Sequence, residues 1–147
     1  MSDHPMANIL PSFDLLSYQA GSVMAFSEVV GFGCKRLALS SPYLPEDVDV
    51  MLEAARYAAD RFNTVLLVEP DLLVSKLFPR NIAEGRTVIL IAHNQSVLGE
   101  YRELKELKAE SDDKGNPDEI EDEIARRFGA LLSYDEASIE SLMAKYG

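Results

Sequence analysis

Two kinds of apolar spacing alternate along the chain and divide it into predicted helices and short predicted strands. Over residues 12–31 apolar side chains recur every three or four positions, which predicts an amphipathic helix that Gly31 or Gly33 can end. The serine that opens this stretch can cap it. A second helix is predicted from Pro45 to about Phe62, because proline is favoured at the first helical position and the apolar residues after it share one stripe.

Three short apolar runs interrupt this helical periodicity. They cover residues 36–39, 64–68 and 87–92, and each ends at polar or proline residues that stop a strand. Continuous apolar runs of this length are typical of strands that are buried on both faces. Residues 71–86 separate the second and third runs, and their pattern is compatible with either a short helix or an extended edge strand.

The last third of the chain returns to helical spacing. Asn94 is suited to cap a helix whose apolar residues lie three and four positions apart. Two later segments, residues 116–119 and 133–136, have the form of capping boxes and predict two further helices, with Gly129 near the break between them. The C-terminal third is therefore predicted to be helical.

Strands that alternate with crossover helices usually pair in parallel through right-handed connections. The order of elements therefore predicts an α/β fold of three layers, in which a mostly parallel sheet of three or four strands is flanked by helices. With 147 residues, the chain has the usual size of one domain. We expect a single domain over residues 1–147, with residues 1–11 forming a loose N-terminal leader.

Charge limits the kinds of partner that the chain can bind. It holds 25 acidic and 14 basic side chains, and its net charge of −11 repels phosphate backbones and anionic lipid head groups. We therefore expect neither nucleic acid nor a membrane as a partner. The single cysteine, Cys34, cannot form an internal disulfide, and no lysine or arginine precedes Lys35 as a secretory signal requires. These two features favour a cytoplasmic location.

The sequence matches no familiar cofactor or metal motif. Neither the phosphate-binding loop nor the dinucleotide glycine fingerprint follows a predicted strand, so no cofactor is predicted. Residues 110–123 have the acidic character and spacing of a calcium loop, but Lys114 and Pro117 would occupy a ligand position and an apolar position. We therefore expect no metal there. Residues 110–116 are predicted to form a solvated, mobile loop between two helices.

Polar side chains directly follow each predicted strand, and they form the candidate site. In open parallel sheets ligands bind outside the carboxyl ends of the strands, so parallel strands would bring these side chains to one edge. A hydroxyl, a carboxylate and an imidazole are the groups that activate a hydroxyl nucleophile. Polar residues also end most strands and cap the helices that follow, which is the structural explanation of the same positions. The candidate binding residues are Ser40, Ser41, Tyr43, Glu69, Asp71, His93 and Asn94.

Two classes of function are compatible with this sequence. The first is a non-catalytic protein that binds a small polar ligand or a protein partner, which suits an acidic domain without a complete catalytic motif. The alternative is a small hydrolase or transferase that uses a serine, a histidine and an acid at the strand ends. An exposed edge strand or the N-terminal helix also offers a surface for self-association into a homo-oligomer.

Overall fold

The computed structural model describes residues 14–147, in which helices surround a small sheet. The expected leader over residues 1–11 and the predicted serine cap of the first helix lie outside the described residues. Within residues 14–147 no helix is both long and apolar enough to cross a membrane. In chain order the elements are α1 (Leu15–Gly31), β1 (Leu37–Leu39), a 3-10 turn (Pro45–Asp47) that leads into α2 (Val48–Phe62), β2 (Val65–Glu69), β3 (Val88–Ala92), α3 (Gln95–Asp113), α4 (Asp118–Leu131) and α5 (Glu136–Tyr146).

Short polar side chains set the starts of three helices. Asn94 caps α3 as predicted, because its side-chain oxygen accepts a hydrogen bond of 3.1 Å from the Val97 amide. α1 begins after Asp14, whose carboxylate accepts from the amide three residues later. α5 begins after Asp135, which caps in the same way, so the serine of the predicted capping box is not the cap. The second predicted helix ends as expected, since α2 runs to Phe62.

The predicted loop over residues 110–116 is wrong in its boundaries. α3 continues to Asp113, so Ser111 lies inside the helix, where its side chain is buried. The chain turns only after this point, at Gly115 and Asn116, whose φ angles of 81° and 58° are left-handed. The Asn116 amide donates a hydrogen bond of 2.8 Å to the Ser111 carbonyl. The Gly115 amide likewise donates to the Asp112 carbonyl at 3.2 Å, so the left-handed glycine ends α3 in a Schellman motif. Asn116 belongs to this motif and does not cap α4.

Among the described residues the sheet has three strands in the order β1-β3-β2, and β3 runs antiparallel to both of its neighbours. The prediction of a mostly parallel sheet is therefore wrong. At one end of the sheet Ala92 pairs with Leu37 and Val65, and at the other end Val88 pairs with Glu69. β1 and β2 run in the same direction, as the helical connection through α2 allows, but β3 fills the space between them.

The connection between β2 and β3 explains this reversal. A parallel return needs a crossover to the opposite end of the sheet, usually through a helix. The chain instead leaves the sheet at Glu69 and re-enters it at Val88, and these two residues are paired neighbours. Residues 70–87 form the connection between them. The connection consists of turns and irregular backbone. It is a long hairpin connection, so neither the helix nor the edge strand considered for residues 71–86 is formed.

Helices cover both faces of β3. Ile89 and Ile91 pack with α1 and α2, whereas Val88, Leu90 and Ala92 pack with the three C-terminal helices. All five side chains are buried. Full burial of a side chain such as Ile or Leu contributes roughly 1.5–3 kcal/mol. The central strand therefore joins the two apolar clusters into one core, and this core fixes the strand ends that border the candidate site.

Candidate functional site

The antiparallel sheet divides the predicted site residues between two opposite ends of the sheet. At the end where β3 begins, Ser40 and Ser41 follow β1, while Glu69 is the last residue of β2 and Asp71 follows it. Tyr43 pairs with Thr87 beyond this end. His93 and Asn94 follow β3 at the other end. The Ser40 amide bonds to the Ile89 carbonyl, four residues before His93, which corresponds to about 14 Å along the strand. The structure thus places Ser40 and Ser41 at one end of the sheet and His93 at the other.

His93 and Asn94 have structural partners where they lie. The His93 amide donates to the Arg36 carbonyl, which extends the pairing of β3 with the start of β1. Its ring Nδ1 lies 2.9 Å from the carbonyl oxygen of Val30, in the last turn of α1. A nitrogen at this distance from a carbonyl carries the proton and donates. His93 therefore fixes the end of α1 against the sheet, and Asn94 caps α3.

The hydroxyl of Ser40 is occupied by the backbone. It donates to the Ser41 carbonyl at 2.9 Å and accepts from the Ile89 amide at 2.8 Å. Where β1 ends, this hydroxyl takes the place of a backbone acceptor for the Ile89 amide. Ser40 is buried, so its polar group needs such partners. Tyr43 is also buried, and burial raises the pKa of its hydroxyl. Ser40 and Tyr43 therefore hold this end of the strand together.

Glu69 and Asp71 belong to a polar cluster that sequence reasoning missed in part. Glu69 accepts a 3.0 Å hydrogen bond from the hydroxyl of Tyr101, and its carboxylate lies 3.3 Å from the ammonium of Lys105. The same ammonium lies 3.6 Å from the Asp71 carboxylate. The Tyr101 hydroxyl in turn accepts from the Leu73 amide at 3.1 Å. This cluster binds the start of the 70–87 connection to α3.

A cavity of about 220 Å³ lies along β1, between Lys35 before the strand and Ser40 after it, and we call it the Lys35 cavity. Its walls come from four parts of the fold: the sheet, α1, the 70–87 connection and the turn after α4. Most of the side chains that line it are apolar. They include Leu39 and Val88 from the sheet, Phe26 from α1, Leu72 and Ile82 from the connection and Leu132 from the turn, and the ring of Tyr134 lies beside them.

Lys35 supplies the cation of this cavity. The chain before β1 is held against the turn after α4, because the Arg36 amide donates to the Ser133 hydroxyl at 2.9 Å. This contact places the Lys35 ammonium against the Leu132 carbonyl, to which it donates, and 4.9 Å from the centroid of the Tyr134 ring. Burial lowers the pKa of Lys35 from its ordinary value.

A second cavity, of about 230 Å³, lies inside the 70–87 connection. It is more polar than the Lys35 cavity, because Asp71, Arg80 and Glu84 lie on its wall. The two cavities share Leu72, Phe78 and Ile82. Side chains of one irregular connection therefore form a wall of both cavities.

The sequence contained one signal of this site, namely the length of the segment without a clear pattern. Connections longer than about 12–15 residues without regular structure are uncommon and are usually binding loops, lids or linkers. Lys35 itself gave no signal, because the Leu132 carbonyl that positions it lies 97 residues away. Ser40 is the predicted site residue that lines the Lys35 cavity, and Asp71 lines the second cavity.

Neither the metal-ligating side chains of the described residues nor a comparison with known proteins indicates a function. In residues 14–147 no group of three or more histidine, cysteine, aspartate or glutamate side chains is placed to hold a metal ion. Comparison of the chain with protein-family models, with curated proteins and with solved structures finds no significant match. The geometry of the two cavities is therefore the basis on which a function is proposed.

Proposed function

We propose that this protein is a non-catalytic binding protein, and that it holds a small, mainly apolar molecule in the Lys35 cavity. The observation that carries the proposal is the cavity itself, which has apolar walls from four separate parts of the fold. Small-molecule sites are typically concave and mostly apolar, with a few polar groups that orient the ligand. Lys35, Ser40 and the hydroxyl of Tyr134 are the polar groups of the residues that line this cavity.

The size of the cavity limits the size of the ligand. An apolar protein cavity of about 150 Å³ is large enough to take up benzene. At about 220 Å³ the Lys35 cavity suits a single ring with a short side chain, or a short branched aliphatic chain. It is smaller than the usual range for drug-sized ligands, which begins near 300 Å³.

The hydrogen bonds and positions of the polar residues around the cavity favour ligand binding without a catalytic step. The hydroxyl of Ser40 is engaged by two backbone groups. His93, the histidine within the described residues, pairs with Arg36 before β1, whereas Ser40 follows β1 and pairs with Ile89, four residues before His93. A nucleophile needs a base within hydrogen-bond reach, and Ser40 has backbone partners instead.

The test is binding of a neutral aromatic probe, benzyl alcohol, followed by amide chemical shifts of the full chain. We expect shift changes centred on Leu39, Val88 and Leu132, which lie on different elements around the cavity. The variant Ile82→Trp places an indole at the cavity wall and should remove these changes. Val50→Trp is the matched control, because Val50 is 45% exposed on α2 and Ile82 is 42% exposed.

The proposal fails if benzyl alcohol leaves the cavity residues of the wild-type protein unperturbed at millimolar concentration. It also fails if Ile82→Trp responds as strongly as Val50→Trp. Thermal unfolding of both variants establishes that each is folded before it is compared. Neither variant changes a charge, so the comparison reports on the space in the cavity alone.

A further inference from the structure

We propose that the ligand of the Lys35 cavity carries one carboxylate, and that this carboxylate pairs with the Lys35 ammonium. The ligand class is then a small aromatic or short-chain aliphatic monocarboxylate. This inference rests on the proposed function, because it assumes that the cavity binds a small molecule. It goes further by assigning the group that gives the site its chemical specificity.

The partly buried lysines of residues 14–147 differ in whether a carboxylate lies beside them, and this difference supports the proposal. Lys76, Lys105 and Lys108 each lie within 4.0 Å of two carboxylates of this chain. Lys35 is partly buried as well, but its contacts within the described residues are a carbonyl and an aromatic ring. In a chain with 25 acidic residues, this lysine alone among the four lacks an acidic partner there.

An ammonium in these surroundings gains from an added anion. Burial of a charge without a counter-charge is unfavourable, and the lowered pKa of Lys35 reflects this burial. A lysine has three N–H donors, and the Leu132 carbonyl accepts from one of them. Arg36, the neighbouring cation, is already paired with Glu100. An incoming anion at the cavity would therefore be bound by Lys35.

A single carboxylate fits better than a multiply charged group. The rest of the cavity is mainly apolar, and the Ser40 hydroxyl is already bonded, so a second charge would have no counter-charge there. The net charge of −11 also opposes dianions more than monoanions. The apolar walls would hold the ring or chain, and Lys35 would fix the end at which the carboxylate lies.

The test compares two probes that differ in charge, 3-phenylpropionate and 3-phenylpropionamide. Both are titrated calorimetrically at pH 7 into the full chain and into two variants. We expect the wild-type protein to bind the carboxylate about tenfold more tightly than the amide, as a charge-assisted hydrogen bond allows. Lys35→Met should remove this preference while the amide still binds. Lys145→Met is the matched control, because Lys145 is an exposed lysine that lies 5.1 Å from the centroid of the Tyr146 ring.

Two results would overturn the inference and leave the cavity proposal standing. One is equal affinity of the wild-type protein for the two probes. The other is a carboxylate preference that survives in Lys35→Met. In both cases amide binding that Ile82→Trp abolishes would still support a neutral ligand in the same cavity. If neither probe binds the wild-type protein, the carboxylate inference is overturned, and the benzyl alcohol experiment decides the cavity proposal independently.

Discussion

Glu121 accepts a hydrogen bond of 2.7 Å from the Ser111 hydroxyl, and both side chains are buried between α3 and α4. Lys108 completes this contact, because its ammonium lies 2.7 Å from the other carboxylate oxygen. Burial alone would raise the pKa of Glu121, but Lys108 and Ser111 outweigh it and hold the pKa below its ordinary value. A charged, satisfied carboxylate therefore joins the two helices.

The first prediction concerns the stability that this carboxylate provides. Glu121→Gln removes the ion pair with Lys108 and leaves the buried Ser111 hydroxyl with a weaker acceptor. We expect the free energy of unfolding to fall by about 1–3 kcal/mol, measured by urea denaturation at pH 7. Glu106→Gln is the control, since Glu106 is an exposed acid on α3, and its effect should stay within about 0.5 kcal/mol. Equal losses in the two variants would contradict the assignment.

The second prediction concerns the pH dependence of the same contact. The pKa of Glu121 is lower in the folded protein than its ordinary value of 4.5, so the folded state favours the ionised form. Its contribution to stability is then complete above pH 4.5 and is lost as the pH falls through the folded pKa. The difference in unfolding free energy between the wild-type protein and Glu121→Gln should shrink when urea titrations are repeated from pH 7 down to pH 3. A difference that grows in acid would show that the sign is wrong.

The third prediction concerns the anchor of the 70–87 connection. The Tyr101 hydroxyl satisfies the amide of Leu73, which is only 4% exposed, and donates to Glu69. Tyr101→Phe should destabilise the protein by about 1–3 kcal/mol, because a buried donor loses its acceptor. Amide exchange of residues 72–78 should quicken more than that of β3. Tyr57→Phe, on a side chain that is 62% exposed, should change neither quantity. Unchanged exchange in Tyr101→Phe would show that the connection is held by other contacts.

Local chemistry predicted most of the helices, whereas the direction of the strands depended on tertiary context. The Asn94 cap and the end of the second helix follow from side chains within a few residues, so the sequence contains them. The continuously apolar run over residues 87–92 predicts a strand that is buried on both faces, and the helices between the predicted strands favour parallel pairing. A central antiparallel strand that is covered by helices on both faces must also be apolar along its length. Composition therefore revealed the burial of β3 and not its direction.

The candidate site was predictable only where it follows from strand ends. Ser40 and Asp71 line the two cavities because they follow β1 and β2, whose ends point the same way. His93 follows β3, so its place depended on the direction of that strand. Lys35 precedes a strand and is positioned by the Leu132 carbonyl, a contact that no local pattern encodes. The buried Ser111 was missed for a similar reason, since its partner lies on the next helix.

The last prediction concerns the pH dependence of ligand binding at Lys35. The pKa of Lys35 in the free protein lies below its ordinary value of 10.5, because burial disfavours the ammonium. A bound carboxylate favours the ammonium and raises that pKa. Affinity for 3-phenylpropionate should therefore be constant below the free pKa and fall by about tenfold per pH unit above it, until the pKa of the complex is reached.

The neighbouring groups and a conservative variant make this profile specific to Lys35. Tyr134 faces the ammonium, but burial raises its pKa above 10.0, so it stays neutral over most of the range. Calorimetric titrations from pH 7 to pH 11 should show the fall for the carboxylate and a flat profile for 3-phenylpropionamide. In Lys35→Arg the guanidinium keeps its proton, so the carboxylate profile should become flat as well. A fall that persists in Lys35→Arg would assign the titration to another group, and it would remove Lys35 from the role of anion receptor.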